Sequence, residues 1–440
     1  MDSAATRSSP LVLQATFVLM GMSTLAPFNT LVTASEYFRD AFTDVPALAS
    51  GFNSGLMAVF NATSVVFGVL AALSGSHGNI NMTRRSQKTL LLLCAATAIL
   101  LVSVMVRPIE HVSSPRLYYA LLLVMSAVLA LGMALFQSAT MALCVMLDRT
   151  GSFVALVLLG QAMQGVVSSV IGLIGVLFAG STKADAPQAY QNQRAAFSLF
   201  LSTFGLLLLT FWLMSRQFKE QYCTPAPSGE HPPNTAGVLQ RIWRVQKRLW
   251  IYTASVLLVF GLTLTVYPSL TSLVRPLTDI QPSVFVALQY VLFNVGDLIG
   301  RRVPAAVPPL TLRKRGLLVF ALARLAYVPV LCAANVVKPS GTQQSSCRMC
   351  SGVLPDAAFM ITVLTLGMTT GWAATSIMVG GPASIDDETD HVALEQQLEE
   401  DGELAEAEGL LDTPAPSGDA SVAAMLLTLQ LVTGLTLACG

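Results

Sequence analysis

The chain has 440 residues, 53% of them hydrophobic and only 11% charged, against about 25% charged in an ordinary soluble domain. Twenty-five Lys and Arg offset 25 Asp and Glu, so the net charge is zero and points to no polyanionic partner. This composition excludes a soluble enzyme, a disordered chain and a nucleic-acid-binding domain. It predicts an all-α, polytopic membrane protein embedded in a lipid bilayer.

Apolar windows fall at about 11–35, 51–75, 88–106, 117–147, 152–179, 195–214, 249–274, 283–300, 316–337, 357–380 and 421–439, which predicts eleven transmembrane helices. The first window has no Ala-x-Ala-like cleavage site and contains Pro27-Phe28-Asn29, so a retained helix is expected rather than a signal peptide. The polar stretch 215–248 separates six windows from five. The expected organisation is therefore a six-helix bundle over 1–214, a basic linker over 215–248 and a five-helix bundle over 249–440. Such a 6+5 division is transporter-like, with two bundles facing each other across a central cavity.

Lys and Arg are about twice as frequent in the connections on one side of these spans as on the other, which predicts a cytosolic N-terminus. Asn81-Met82-Thr83 then lies in a cytosolic loop and Asn61-Ala62-Thr63 within a span, so neither sequon is expected to carry sugar. Between spans ten and eleven, the segment Asp386 to Asp412 has twelve acids and no Lys or Arg. The loop 383–420 is accordingly expected to be solvated and largely disordered. Within it, Glu406 to Leu411 fits an acidic dileucine pattern: Leu410 and Leu411 are either a docking point for a sorting adaptor or a chance match.

Cys94, Cys144, Cys332 and Cys439 lie in apolar stretches and read as small packing residues. Cys347 and Cys350 form one Cys-x-x-Cys, incidental or disulfide-bonded; without a second Cys or His pair it gives little support for zinc. No metal or cofactor is expected, and no Gly-x-x-x-x-Gly-Lys-Ser/Thr loop is present for direct ATP drive.

Charges within spans are costly and mark functional sites by default. Asp297 is the acid placed well inside an apolar window, in Phe293-Asn294-Val295-Gly296-Asp297-Leu298-Ile299-Gly300-Arg301. At about 100° per residue, Asn294, Asp297 and Arg301 share a helix face roughly 60° wide. Asp297 and Arg301 are spaced i, i+4 and can pair. The face is either a substrate-binding surface or a structural ion pair. Gln137 and Gln161 are candidates either for substrate contact or for hydrogen bonds between helices. Pro27 and Pro268 interrupt backbone bonding beside these positions.

The Phe-Asn-x-x-Asp-x-x-Gly-Arg run in the eighth span resembles the signature of the equilibrative nucleoside transporter family. Further similarities follow in the family's order: Pro27-Phe28-Asn29 in the first span, Gly160-Gln161-Ala162-Met163-Gln164-Gly165 in the fifth, Tyr267-Pro268 in the seventh, Arg324-Leu325-Ala326-Tyr327-Val328-Pro329 in the ninth, and Gly371-Trp372 to Gly381-Pro382 in the tenth. The resemblance implies a major-facilitator-like transporter that carries nucleosides and is not an enzyme. It also implies that Asp297 and Arg301 contact ribose hydroxyls, that Gln137 contacts the base, and that Phe28 and Tyr267 line the base pocket. Phe28 stands where the family has Trp, and Tyr267 where it has Phe, which changes pocket width and polarity. The expected reading is a nucleoside transporter working by alternating access in the plasma membrane or the vacuolar/lysosomal membrane. The rivals are a transporter of another small polar solute and an intramembrane enzyme.

Overall fold

In the computed structural model the described residues are 10–42, 45–76, 80–106, 114–148, 150–179, 188–218, 235–268, 270–306, 314–334, 354–400 and 418–439. Their regular elements are helices: α1 (Pro10–Thr33), α2 (Ser35–Asp40), α3 (Pro46–Ser76), α4 (Met82–Val106), α5 (Pro115–Leu147), α6 (Ser152–Ala179), α7 (Gln188–Gln217), α8 (Thr235–Val266), α9 (Pro282–Ala306), α10 (Lys314–Ala323), α11 (Tyr327–Cys332), α12 (Asp356–Glu400) and α13 (Gly418–Cys439), with short 3-10 turns at Thr271–Leu273 and Arg324–Ala326. Ten of the helical segments among the described residues are long and apolar enough to cross a membrane, and Asp419–Leu431 is a shorter apolar helix in the eleventh position. The protein is a multi-pass integral membrane protein.

Helix ends follow local chemistry. The Asn81 side chain accepts a hydrogen bond from the Arg84 N–H at 2.8 Å, so this sequon asparagine caps α4. Asp148 ends α5 and starts α6: its carboxylate accepts from the N–H groups of Thr150 and Ser152, both at 2.8 Å. Between them, Gly151 has φ +76°, a conformation other residues rarely adopt. The ninth span breaks at Arg324 into α10, a 3-10 turn and α11. Pro329 contributes, because its ring cannot donate to the preceding turn.

Two connections are more helical than the sequence suggested. The expected linker 215–248 becomes part of α8 from Thr235 onward. Val238, Val245 and Leu249 recur at helical spacing and are buried, so this basic segment has an apolar face to dock. Likewise the expected loop 383–420 starts late, because α12 continues through Pro382 to Glu400. Ala, Leu, Gln and Glu over 393–400 are strong helix formers and need no apolar neighbour. Leu410, Leu411, Cys347 and Cys350 lie outside the described residues.

Helices α1 and α6 pack together, as do α3 and α5, α4 and α7, α8 and α13, and α9 and α12. Contacts of α6 with α9, and of α13 with α3 and α5, join the first seven helices to the rest. The closest crossing is α9 on α12. Gly296 and Gly300 lie against the carbonyls of Leu364 and Met368, while Gly367 and Gly371 lie against those of Phe293 and Asp297. Two small-xxx-small faces are thus pressed together, and dispersion and backbone proximity hold them where the hydrophobic effect cannot. Gly21 and Gly160 play the same part between α1 and α6.

The outer faces are apolar. Val124 is 58% exposed and Trp250 57%, as suits side chains facing lipid. Near the end of the molecule rich in Lys and Arg, the Arg216 guanidinium sits 4.6 Å over the Trp212 ring and the Lys247 ammonium 5.6 Å over Trp243, an interfacial pairing of cation and aromatic. At that basic end, Arg241 donates to Asp419 on α13 at 2.6 Å and to the Ser76 carbonyl on α3 at 3.1 Å. The other end of the early helices is filled by rings, among them Phe42 with Phe52, Tyr118 and Tyr119.

Candidate functional site

Helix α9 carries the charged pair. The Nε of Arg301 donates to Asp297 Oδ2 at 2.9 Å, and its Nη1 donates to the Leu158 carbonyl on α6 at 3.0 Å. Both side chains are buried, at 6% and 9% exposure. Asp297 Oδ1 has no hydrogen-bond partner among the described residues. A β-carbon on Gly371 would lie 2.9 Å from that oxygen, so the glycine of α12 leaves the carboxylate room. The pair therefore presents an unused acceptor beside guanidinium donors that its two bonds do not exhaust.

Asn294 lies on the same face, but its amide donates to the Tyr290 carbonyl of its own helix at 2.8 Å, and its oxygen abuts Gly165 of α6. It therefore lies at the α6–α9 contact. Gln137 on α5 is 5% exposed and makes no hydrogen bond among the described residues. Beside it, the hydroxyls of Ser138 and Thr140 are buried without partners. Gln161 differs: its amide donates to Thr24 on α1 at 3.1 Å, the interhelical role open to it from sequence.

The aromatic candidates contact neighbouring rings. Phe28 stacks on Phe60 of α3 with centroids 4.1 Å apart, and Tyr267 stacks on Phe293 at 3.8 Å. The Tyr267 hydroxyl is buried and has no partner among the described residues. Arg324 is 2% exposed; its guanidinium donates to the Val259 carbonyl at 3.2 Å and to the hydroxyls of Thr263 and Thr370, tying the 3-10 turn to α8 and α12. Its position is that of a structural tie.

Sequence reasoning missed one feature. The buried polar atoms without partners among the described residues include Asp297 Oδ1, the Tyr267 hydroxyl, the Trp372 indole N–H, and the hydroxyls of Thr375 and Ser376. Buried groups of this kind normally find partners. Most membrane Ser and Thr bond their own helix, as Thr370 does to the Leu366 carbonyl, so sequence cannot single out the exceptions. A cavity of about 770 Å³ opens between α1 and α6 on one side and α8, α9, α10 and α12 on the other, with Arg301, Arg302, Lys314, Thr375 and Ser376 in its wall.

Residues 213–395 match the family model described as "Nucleoside transporter". The chain is 24% identical over 416 residues to human equilibrative nucleoside transporter 1, covering 84% of this chain and 89% of that one. To rat (Rattus norvegicus) equilibrative nucleoside transporter 3 it is 25% identical over 406 residues, covering 83% and 80%. The fold is similar to that of an E. coli fucose:proton symporter variant, with a TM-score of 0.60 at 14% identity over 98% of this chain and 91% of that one. A second symporter structure, a major facilitator superfamily transporter in an outward conformation, gives 0.51 at 14% identity over 97% and 98%.

Proposed function

We propose that this protein, a member of the equilibrative nucleoside transporter family, carries nucleosides across a membrane by alternating access. The observation that carries the reading is the Asp297–Arg301 pair, with one carboxylate oxygen unpartnered beside a guanidinium. Vicinal ribose hydroxyls both donate and accept, so one can donate to Asp297 Oδ1 while accepting from Arg301. The base is assigned to Gln137, whose amide is unused, and to the rings of Phe28 and Tyr267, which can stack on it.

In this mechanism the bundles 1–214 and 249–440 rock about the site, with Asn294 and Gly165 at their contact. Flow follows the nucleoside gradient as facilitated diffusion. The N-terminus is assigned to the cytosol on the distribution of Lys and Arg. The host membrane is the plasma membrane or the vacuolar/lysosomal membrane, with Leu410 and Leu411 as a sorting signal in the second case.

The test is uptake of labelled uridine and its 2′,3′-dideoxy analogue by reconstituted wild type, Asp297→Asn and Arg301→Lys. The wild type is expected to take up uridine well and the dideoxy compound poorly. The variants are expected to lose uridine uptake strongly and dideoxy uptake little. Equal losses for both compounds in folded variants would assign the pair to the helix rather than to the sugar.

A further inference from the structure

The cavity at the basic end is engaged by the sugar site only at its edge, through Arg301. Its charged wall consists of Arg301, Arg302 and Lys314, with no acid among the lining residues. Asp297 balances Arg301, whereas neither Arg302 nor Lys314 has an ion-pair partner among the described residues. Helix α12 adds Thr375 and Ser376, 0% and 6% exposed, whose hydroxyls have no partner there. Two unmatched cations at a concave, low-dielectric site concentrate anions. Two buried hydroxyls without acceptors are costly until an acceptor arrives.

One ligand class meets both deficits. A phosphate monoester carries close to two negative charges at neutral pH and three strong acceptor oxygens. We infer that this cavity binds a phosphate monoester through Arg302, Lys314, Thr375 and Ser376. Its volume of about 770 Å³ exceeds the need of phosphate alone and lies within the usual range for small-molecule sites. Because the cavity reaches Arg301, the ligand is a nucleoside 5′-monophosphate with its ribose toward that residue. This last identification rests on the nucleoside reading, whereas the phosphate site does not. The nucleotide is an inhibitor bound at the basic end and not cargo, since taking a dianion through the apolar centre is prohibitively costly.

The test uses the full chain in phosphatidylcholine nanodiscs, with labelled adenosine 5′-monophosphate, inorganic phosphate and adenosine as probes. Monophosphate binding is expected to be competed by phosphate and weakened by salt. The double variant Arg302→Gln/Lys314→Gln should weaken it about ten-fold or more, the loss expected for charged hydrogen bonds, and leave adenosine binding unchanged. Arg302→Lys/Lys314→Arg should restore it, and Thr375→Val/Ser376→Ala should weaken it with both charges kept. Unaltered monophosphate binding in the double variant, or no competition by phosphate, overturns the proposal. Displacement by phosphatidic acid added to the discs would assign the cavity to a lipid headgroup and also overturn it. Phosphate-competed monophosphate binding without adenosine binding would uphold the phosphate site while failing the nucleoside reading.

Discussion

Removing either member of the Asp297–Arg301 pair leaves the other charge buried and uncompensated, a loss of about 3–5 kcal/mol in comparable pairs. Truncation would therefore confuse misfolding with lost binding, and the gentler Asp297→Asn and Arg301→Lys are the informative substitutions. Lys keeps the charge but not the planar fork that bonds both Asp297 and the Leu158 carbonyl. Phe28→Ala is expected to raise the KM for nucleosides or reorder base preference at unchanged protein level; unchanged affinity and ranking would make the Phe28–Phe60 stack packing alone. A different residue sets an acid limit. Burial pushes the Asp148 carboxyl up, but hydrogen bonds from Thr150, Phe153 and Ser152 outweigh it and hold its pKa below the ordinary carboxylate range. A depressed folded pKa means that this carboxylate stabilises the fold above its unfolded pKa, and the stabilisation disappears as pH falls through the folded value. Asp148→Ala is expected to cost about 0.5–1 kcal/mol after allowance for solvent screening, read as a lower Tm at neutral pH that converges on wild type in acid. The pair was legible in the sequence because spacing alone puts Asp297 and Arg301 on one face. The unpartnered oxygen was not, since it depends on Gly371 of another helix.

At the scale of elements, α9 and α12 are held at backbone distance by glycines that admit no side chain. A β-carbon at Gly371 would collide with the Asp297 carbonyl, and backbone cannot yield as a flexible side chain can. Gly371→Val is expected to cost about 1–3 kcal/mol or more through overpacking, seen as loss of folded protein and of thermal stability in detergent. Gly205 on α7 is the control: a β-carbon there meets nothing within 4 Å. Gly205→Ala should therefore be neutral or stabilise by up to about 1 kcal/mol. Element positions were largely legible from hydropathy, because a bilayer forces about 20 apolar residues into each span. What hydropathy hides is helix continuing into water. The α8 extension from Thr235 shows its docking face only through Val238, Val245 and Leu249, and α12 passes the expected boundary because Pro382 costs one backbone bond without ending it.

For the whole molecule, the contacts between α6 and α9 and between α13 and α3 are the surfaces about which rocking would occur. Arg241 links α8, α13 and α3 at the basic end, so closure there depends on one guanidinium. Replacing Leu410 and Leu411 by Ala is expected to move protein from internal membranes to the cell surface, scored by surface labelling; unchanged distribution would leave the dileucine a coincidence. The division into bundles was legible in the sequence, since the polar stretch 215–248 is the longest break between the first nine windows. The basic cavity was not, because its walls come from helices distant in sequence. The most direct measurement is counterflow of labelled nucleoside in proteoliposomes of purified protein. The expected result is saturable influx, accelerated by unlabelled nucleoside inside, insensitive to glucose and strongly reduced by Asp297→Asn. Folded protein that gives no saturable nucleoside flux, or a flux that glucose competes equally well, would contradict nucleoside transport.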